Sequence, residues 1–320
     1  MNSIIKTYLI LLGFYLISSC AKPIDFKIDD DEKVIVMNGI ISNDSLFKIN
    51  LSESIGVTDT AFNTKFITDA DVKLYEDDIF LEEMIHTENG YYKSSIFAQE
   101  GKTYRITARH NDFPEAYGIV NVSAPVPVKI FVYTYDTLTV TNQIWDPITG
   151  EEYDTTYVDV QNLQASITFD DPPNEENYYY LTLTCYKKTY NWGEQGPIYA
   201  GTKLTSVDYS IGYNISWEDY FYLNNEGGFI FSDALFNGET HTINAQVFYW
   251  AENMIEPVIY VNFYSINKEI HDFASSMFKY EEVLYNPLAE PVNVFSNIEG
   301  GYGFLSAYSA SRDTMVFVIE

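Results

Sequence analysis

From residue 34 to about residue 124, apolar and polar residues alternate with a period of two, which is the period of a half-buried β-strand. Residues 34–41 and 47–51 each fit one strand, and residues 104–108 alternate strictly between apolar and polar positions. Asn89-Gly90 is the dipeptide preferred in a two-residue hairpin turn. The spacing predicts a sandwich domain over residues 34–124 with immunoglobulin-like or transthyretin-like topology.

The segment Ala124-Pro125-Val126-Pro127 interrupts this pattern, because two prolines stiffen the chain and remove two N–H donors. Beyond it lie long β-rich runs at 128–140, 158–169, 178–187, 240–250 and 257–265. We therefore predict a larger β-rich domain over residues 125–320, in an all-β protein of two domains.

One segment has helical periodicity instead. Its apolar residues recur every three or four positions, at Ile266, Ile270, Phe273, Met277, Tyr280 and Leu284. With Ser265 as the N-cap, this spacing predicts a helix over residues 266–284 whose apolar face packs on a sheet of the second domain. A groove for a partner protein is the alternative interpretation of that face.

The amino terminus combines Lys6, an apolar run and the sequence Ile17-Ser18-Ser19-Cys20. A short basic region followed by an apolar stretch is typical of a secretory signal, and this stretch is too short to cross a bilayer. The last four residues resemble the bacterial lipobox, in which the cysteine is acylated. We predict a signal peptide over residues 1–19, lipid with acyl chains such as palmitate on Cys20 and an acidic tether over residues 20–33. An ordinary signal with an incidental cysteine is the alternative.

The chain has 46 acidic and 18 basic residues and a net charge of -28. Such a surface repels phosphates, which disfavours nucleic acid and anionic headgroups as partners. Cys185 is the second of two cysteines. Because lipid on Cys20 excludes an intramolecular disulfide, we expect Cys185 to be a small buried hydrophobe.

Catalytic and metal-binding patterns are weak. The sequence contains no Gly-x-Ser-x-Gly, and His86, His110, His241 and His271 are not spaced as metal ligands. Adjacent acids that could serve a glycoside hydrolase are Asp170/Asp171, Glu175/Glu176 and Glu218/Asp219. A loop with oxygen ligands for calcium contains Asp146, Thr149, Glu151, Glu152 and Asp154, without EF-hand spacing. We therefore expect no enzymatic activity, no cofactor and no metal.

Aromatic residues are the best binding candidates, since exposed tyrosine and tryptophan offer large contact areas at small entropic cost. They are concentrated in the loop-like segment with Tyr209, Tyr213, Trp217, Tyr220 and Tyr222. Packing within a sheet is the alternative role of these side chains.

A distinctive segment near the carboxyl terminus contains Asn286, Pro287, Glu290, Pro291, Ser296, Asn297, Gly301 and Gly303. It resembles an Asn-Pro-x-x-Glu-Pro, Ser-Asn-Ile and Gly-x-Gly run in Bacteroidota lipoproteins grouped as domain of unknown function 4249. The lipobox, the acidic tether, Val-x-x-Gly-x-Ile at residues 36–41, the Gly90 hairpin and the strand entry at Gly101 extend that resemblance along the chain.

The resemblance implies residence at the outer membrane, often beside TonB-dependent transporters, and no established activity. Related surface-exported lipoproteins place acids directly after the lipidated cysteine, whereas here the acidic cluster begins at Asp29. The sequence therefore does not indicate which face of the outer membrane carries the protein.

These features together predict a lipid-anchored, non-enzymatic binding or accessory module that contacts a TonB-dependent transporter or another envelope protein. A structural or adhesive envelope protein is the second hypothesis, and a surface glycoside hydrolase is the third.

Overall fold

The fold is that of a computed structural model, which describes residues 32–56, 63–145, 152–193, 196–211, 221–223, 227–249, 254–256, 258–284, 286 and 289–316. Its helix and strands lie in a compact unit formed by residues 33–54 and 63–320. The strands are β1 (Ile35–Ser42), β2 (Leu46–Glu53), β3 (Asp71–Glu76), β4 (Ile79–Glu83), β5 (Ile85–His86), β6 (Tyr91–Phe97), β7 (Thr103–His110), β8 (Phe113–Asn121), β9 (Val128–Trp145), β10 (Glu152–Asp170), β11 (Tyr178–Gly193), β12 (Gly196–Ser206), β13 (Asp208–Ile211), β14 (Phe221–Leu223), β15 (Gly228–Ser232), β16 (Thr240–Tyr249), β17 (Val258–Ile266) and β18 (Tyr302–Val316), and the helix is α1 (Lys268–Leu284).

Within the described residues the strands form three sheets. The central sheet has the order β14-β15-β11-β17-β18-β1-β2-β6-β5, with β12 paired to β11. One smaller sheet has the order β4-β3-β7-β8, and the other has the order β13-β16-β10-β9. The prediction of an all-β protein with one helix is thus confirmed.

Two hydrophobic cores lie between the central sheet and the smaller sheets. The first joins inward-facing residues of β1, β2 and β6 to those of β3 and β7, including Phe47 and Tyr104, whose ring centroids lie 4.8 Å apart. The second joins β11 and β17 to β10 and β16 around Phe169, Tyr179 and Phe263. Cys185 is fully buried in the second core, as predicted, and this burial raises the pKa of its thiol.

Strand β18 links the two halves of the central sheet. It pairs in parallel with β1 and antiparallel with β17. Leu305 and Ala307 at its start belong to the first core, whereas Met315 near its end belongs to the second. The central sheet therefore continues across the predicted domain boundary at residues 124–125, and the amino-terminal sandwich is completed by a strand from the carboxyl end.

Helix α1 begins at Lys268, two residues later than predicted, and ends at Leu284 as predicted. Ser265 is not its N-cap: it lies in β17, where its Oγ accepts a hydrogen bond from the Val126 N–H at 3.0 Å. The Asn267 carbonyl instead accepts the first bond of the helix, from the Ile270 N–H.

The predicted apolar face of α1 is covered at one end only. Ile270 and Ala274 pack against Tyr178, Ile230 and Ile266 on the outer face of the central sheet. Farther along the helix, Tyr280 and Leu284 are 38% and 52% exposed. In the part of the chain that the structure describes, no helix is both long enough and apolar enough to cross a bilayer.

Candidate binding groove

A groove of about 670 Å³ lies on the outer face of the central sheet, beside helix α1. A volume of this size is typical of sites for small organic ligands. Its lining residues are Asn38, Gly39, Ile40, Ser45, Leu46, Lys48, Asn50, Tyr91, Lys93, Phe273 and Phe304.

The floor of the groove consists of outward-facing positions of β1, β2 and β6. In β2, Phe47 and Ile49 point into the core, so that Lys48 between them points outward. Alternation in β6 exposes Tyr91 and Lys93 on the same face. Ile40 of β1 is 51% exposed and supplies an apolar side chain to this surface.

The wall of the groove is aromatic. Phe273 of α1 stacks on Phe304 of β18, with ring centroids 4.6 Å apart and an interplanar angle of 24°. Ser276 fixes the neighbouring backbone, because its hydroxyl donates to the Phe273 carbonyl at 2.8 Å and accepts the Phe295 N–H at 2.9 Å. The wall is therefore held by both the helix and the loop that follows it.

The groove is cationic in an otherwise acidic protein. Its lining contains Lys48 and Lys93 and no acidic residue. Lys93 is the direct cross-strand partner of Lys48, and the Lys48 ammonium lies 4.0 Å from the centroid of the Tyr91 ring. Neither lysine makes an ion pair with a residue that the structure describes, a property that they share with Lys187 and Lys203 on β11 and β12. The lining of the groove therefore combines two positive charges with an apolar surface.

A second concavity, of about 480 Å³, lies against β7 and β8 and is lined by Arg105, Glu115, Tyr117 and Ile119. Its charges already have partners. Arg105 pairs with Asp78 at 3.2 Å, and Glu115 pairs with Arg109 at 2.8 Å. It therefore offers a ligand less unpaired charge than the groove beside α1.

The predicted aromatic binding segment is described only in part. Tyr209 donates a hydrogen bond from its hydroxyl to the Leu181 carbonyl at 2.8 Å, and its ring meets Phe229 edge-on at 4.9 Å. These contacts tie Tyr209 to the second core. Tyr222 pairs with Phe229 through the backbone of β14. Tyr213, Trp217 and Tyr220 lie outside the described residues, so a binding role for this segment stays a prediction.

The distinctive segment near the carboxyl terminus positions the start of β18. The Asn297 side chain donates to the Leu305 carbonyl at 2.6 Å and accepts the Leu305 N–H at 2.9 Å. Ser296 Oγ accepts the Gly303 N–H at 3.1 Å. A Cβ on Gly301 would lie 2.3 Å from the Ile35 carbonyl oxygen, so the close approach of β1 requires glycine there.

Other residues of that segment lie at the end of α1 and after it. The Asn286 N–H donates to the Val283 carbonyl at 2.9 Å, which closes the helix. Glu290 and Pro291 are exposed, and Pro287 is outside the described residues. None of the described residues of the segment lines the groove, although Asn297 and Gly303 hold the strand that carries Phe304.

Several of the predicted paired carboxylates accept hydrogen bonds from neighbouring groups. Asp170 accepts a hydrogen bond from Thr240 Oγ1 at 2.6 Å, while the neighbouring Asp171 accepts from Tyr179 and from the Gly238 N–H. Glu176 accepts from the Tyr178 hydroxyl at 2.9 Å. The pair Glu218/Asp219 lies outside the described residues.

The predicted calcium loop lies largely outside the described residues, which resume at Glu152. Among those residues, no group of three or more His, Cys, Asp or Glu side chains could hold a metal ion.

A buried polar cluster near Asp171 has a structural role. Asp233 accepts hydrogen bonds from the backbone and side chain of Asn177, and burial raises the pKa of the Asp233 carboxyl. His241 stacks on Phe236 with centroids 3.8 Å apart, and burial lowers the pKa of its imidazole. The Asp171 carboxylate and burial together raise the pKa of Tyr179, with burial the larger cause. These groups hold together the turn between β10 and β11 and the turn between β15 and β16.

Sequence reasoning missed the groove. Alternation in β2 and β6 places Lys48 and Lys93 on exposed faces, and this signal was present in the sequence. The pairing of β2 with β6, and the placement of α1 beside them, depend on contacts between distant segments.

Comparison with solved structures found a protein from Corynebacterium diphtheriae described as "Putative membrane anchored protein", at 14% sequence identity and a TM-score of 0.22. The match covers 74% of this chain and 54% of that protein, so the chain spans about half of its length. A score this low carries no conclusion about fold or function. The search of curated proteins found no match.

The family model described as domain of unknown function (DUF4249) matches residues 21–314. The match covers the described strands and helix almost completely, and it includes both the groove and the segment that positions β18. The chain therefore belongs to the DUF4249 family.

Proposed function

We propose that this protein is a lipid-anchored, non-enzymatic binding module of the outer membrane that serves a TonB-dependent transporter. The observation that carries the binding role is the groove beside α1, with two lysines and two stacked phenylalanines along its lining. A cleft of this volume with few convergent polar groups is the form that small-molecule sites usually take. The lipobox-like sequence ending at Cys20 supports the anchor.

Tagged full-length protein, extracted from its native membranes in mild detergent, tests the proposal. Mass spectrometry then identifies the proteins and small molecules that co-purify with it. Ile40→Trp fills the groove from an exposed position, whereas Leu204→Trp places the same side chain on β12, outside the groove, at a site that is 46% exposed. We expect wild type and Leu204→Trp to retain a bound small molecule and a barrel protein, and Ile40→Trp to lose the small molecule.

A preparation that recovers neither a barrel protein nor a small molecule would contradict the proposal, as would equal recovery of a small molecule with Ile40→Trp. The alternative of a structural envelope protein predicts a different outcome. In that case, deletion of the gene damages the envelope while nutrient uptake stays intact.

A further inference from the structure

We infer that the ligand of the groove is a small organic anion with an aromatic or apolar body. This inference rests on the proposed function and deepens it by naming the ligand class. It begins with the direct pairing of Lys48 on β2 with Lys93 on β6. Like charges at directly opposed strand positions are unfavourable, and an anion bound between the two ammonium groups relieves that repulsion.

The lining of the groove makes this pair of lysines available to a ligand. Neither ammonium has a carboxylate partner among the described residues, and none of the lining residues is acidic. Lys48 is held over the ring of Tyr91 at 4.0 Å, so its position is fixed on one side while its remaining N–H donors stay accessible. Two such donors can bind a carboxylate or a sulfonate in charge-assisted hydrogen bonds.

The rest of the protein restricts which anions fit. With a net charge of -28, the chain as a whole repels nucleic acids and anionic bilayers. Screening limits that repulsion to about 8 Å at physiological ionic strength. A small ligand with a single charge is therefore favoured over a polyanion.

The apolar part of the ligand has its own contact surface. Phe273 and Phe304 form the aromatic wall, and Ile40 and Tyr91 are 51% and 36% exposed on the floor. Burial of a ring against these side chains adds affinity that a bare inorganic anion does not gain. The combination of two ammonium groups and an aromatic wall thus selects ligands that carry both a charge and an apolar body.

Ligand-observed saturation-transfer NMR on the lipidated full-length protein tests the inference with three probes. Phenylacetate has a ring and a charge, phenylacetamide has the ring alone, and acetate has the charge alone. We expect phenylacetate to bind about tenfold more tightly than either of the others, the ratio expected when one charge-assisted hydrogen bond or one buried ring is lost.

Two matched double variants distinguish the effect of the groove lysines on phenylacetate binding from the effect of the protein's overall charge. Lys48→Gln/Lys93→Gln removes the pair in the groove. Lys187→Gln/Lys203→Gln removes the same charge from another directly opposed pair, on β11 and β12, which lies outside the groove. We expect the first variant to weaken phenylacetate binding at least about tenfold and the second to leave it unchanged. Lys48→Arg/Lys93→Arg keeps the charge and should retain binding.

Equal affinity for phenylacetate and phenylacetamide would overturn the inference, as would unchanged phenylacetate binding in Lys48→Gln/Lys93→Gln. Failure of wild type to bind phenylacetate would also overturn it. The proposed function is decided separately, by whether Ile40→Trp abolishes the co-purification of a small molecule. Urea unfolding of each variant confirms that it is folded, since all four lysines lie on exposed or half-buried strand positions.

Discussion

Gly303 lies directly opposite Met37 in the parallel pairing of β18 with β1, and no other residue type fits there. A Cβ on Gly303 would lie 2.1 Å from the Met37 carbonyl oxygen, and the Gly303 φ angle is +117°. The backbones of β18 and β1 therefore approach too closely at this point for any side chain. The position of β18, which supplies Phe304 to the groove, therefore depends on glycine at residue 303.

Gly303→Ala should lower the free energy of unfolding by about 3 kcal/mol, because it adds backbone strain to a clash with a carbonyl oxygen. Gly101→Ala is the matched control: its φ angle is also positive, +75°, but nothing lies within 4 Å of the added carbon. It should cost only about 1 kcal/mol. Urea unfolding followed by circular dichroism measures both, and equal losses would contradict the assigned clash.

Asn297→Ala should lower the free energy of unfolding by about 2 kcal/mol, since it removes two hydrogen bonds to the Leu305 backbone. Asn293→Ala alters an exposed residue of the same loop and should cost less than about 0.5 kcal/mol. The urea midpoints of the two variants are compared with that of wild type, on condition that the dependence of the unfolding free energy on urea concentration is the same in all three. If both variants unfold at the wild-type midpoint, Asn297 does not hold β18 in solution.

His241 should make the protein sensitive to acid. Burial lowers the pKa of its imidazole in the folded state below the ordinary value of 6.5. Because the folded pKa lies below the unfolded one, the stability that the neutral ring contributes is complete above pH 6.5 and is lost as pH falls through the folded pKa. His241→Phe keeps a ring to stack on Phe236 and should lose less stability on acidification than wild type.

Unfolding free energies of both proteins at pH 7.5 and pH 5 measure this difference. The change between the two pH values is the readout, so any general effect of the substitution cancels. Parallel losses in wild type and His241→Phe would show that the acid sensitivity comes from other groups. Asp233 has the opposite effect on the pH dependence of stability. Because its pKa is raised in the folded state, its contribution to the unfolding free energy falls as pH rises.

Cys20→Ala should move the protein from the membrane fraction to the soluble fraction, because the predicted lipid is the anchor. Two acyl chains hold a protein to a bilayer nearly permanently, whereas one chain binds only weakly. Intact-mass analysis of the wild-type amino terminus is the direct measurement. Cys185→Ala is the control: its side chain is buried in the second core, so it should leave membrane attachment unchanged.

The sequence by itself determined which side chains point into the cores and where several turns lie. Period-two alternation is a property of the extended backbone, so it placed Phe47 inward and Lys48 outward without knowledge of their neighbours. The Asn89-Gly90 hairpin was likewise predictable. Both residues have positive φ angles, 48° and 72°, as a two-residue hairpin turn of this kind requires. The helical spacing located α1 to within two residues.

Only the tertiary structure decided which strands pair. Lys48 meets Lys93 because β2 pairs with β6, and Phe304 reaches the groove because β18 returns from the carboxyl end to lie parallel to β1. Local patterns do not encode such partners, since any strand with one apolar face can pair with many others. The choice is made by the total area that the cores bury and by close contacts such as that between Gly303 and Met37. The groove forms only when these distant segments pair. The exposed positions of its residues could therefore be predicted from the sequence, but their arrangement around one groove could not.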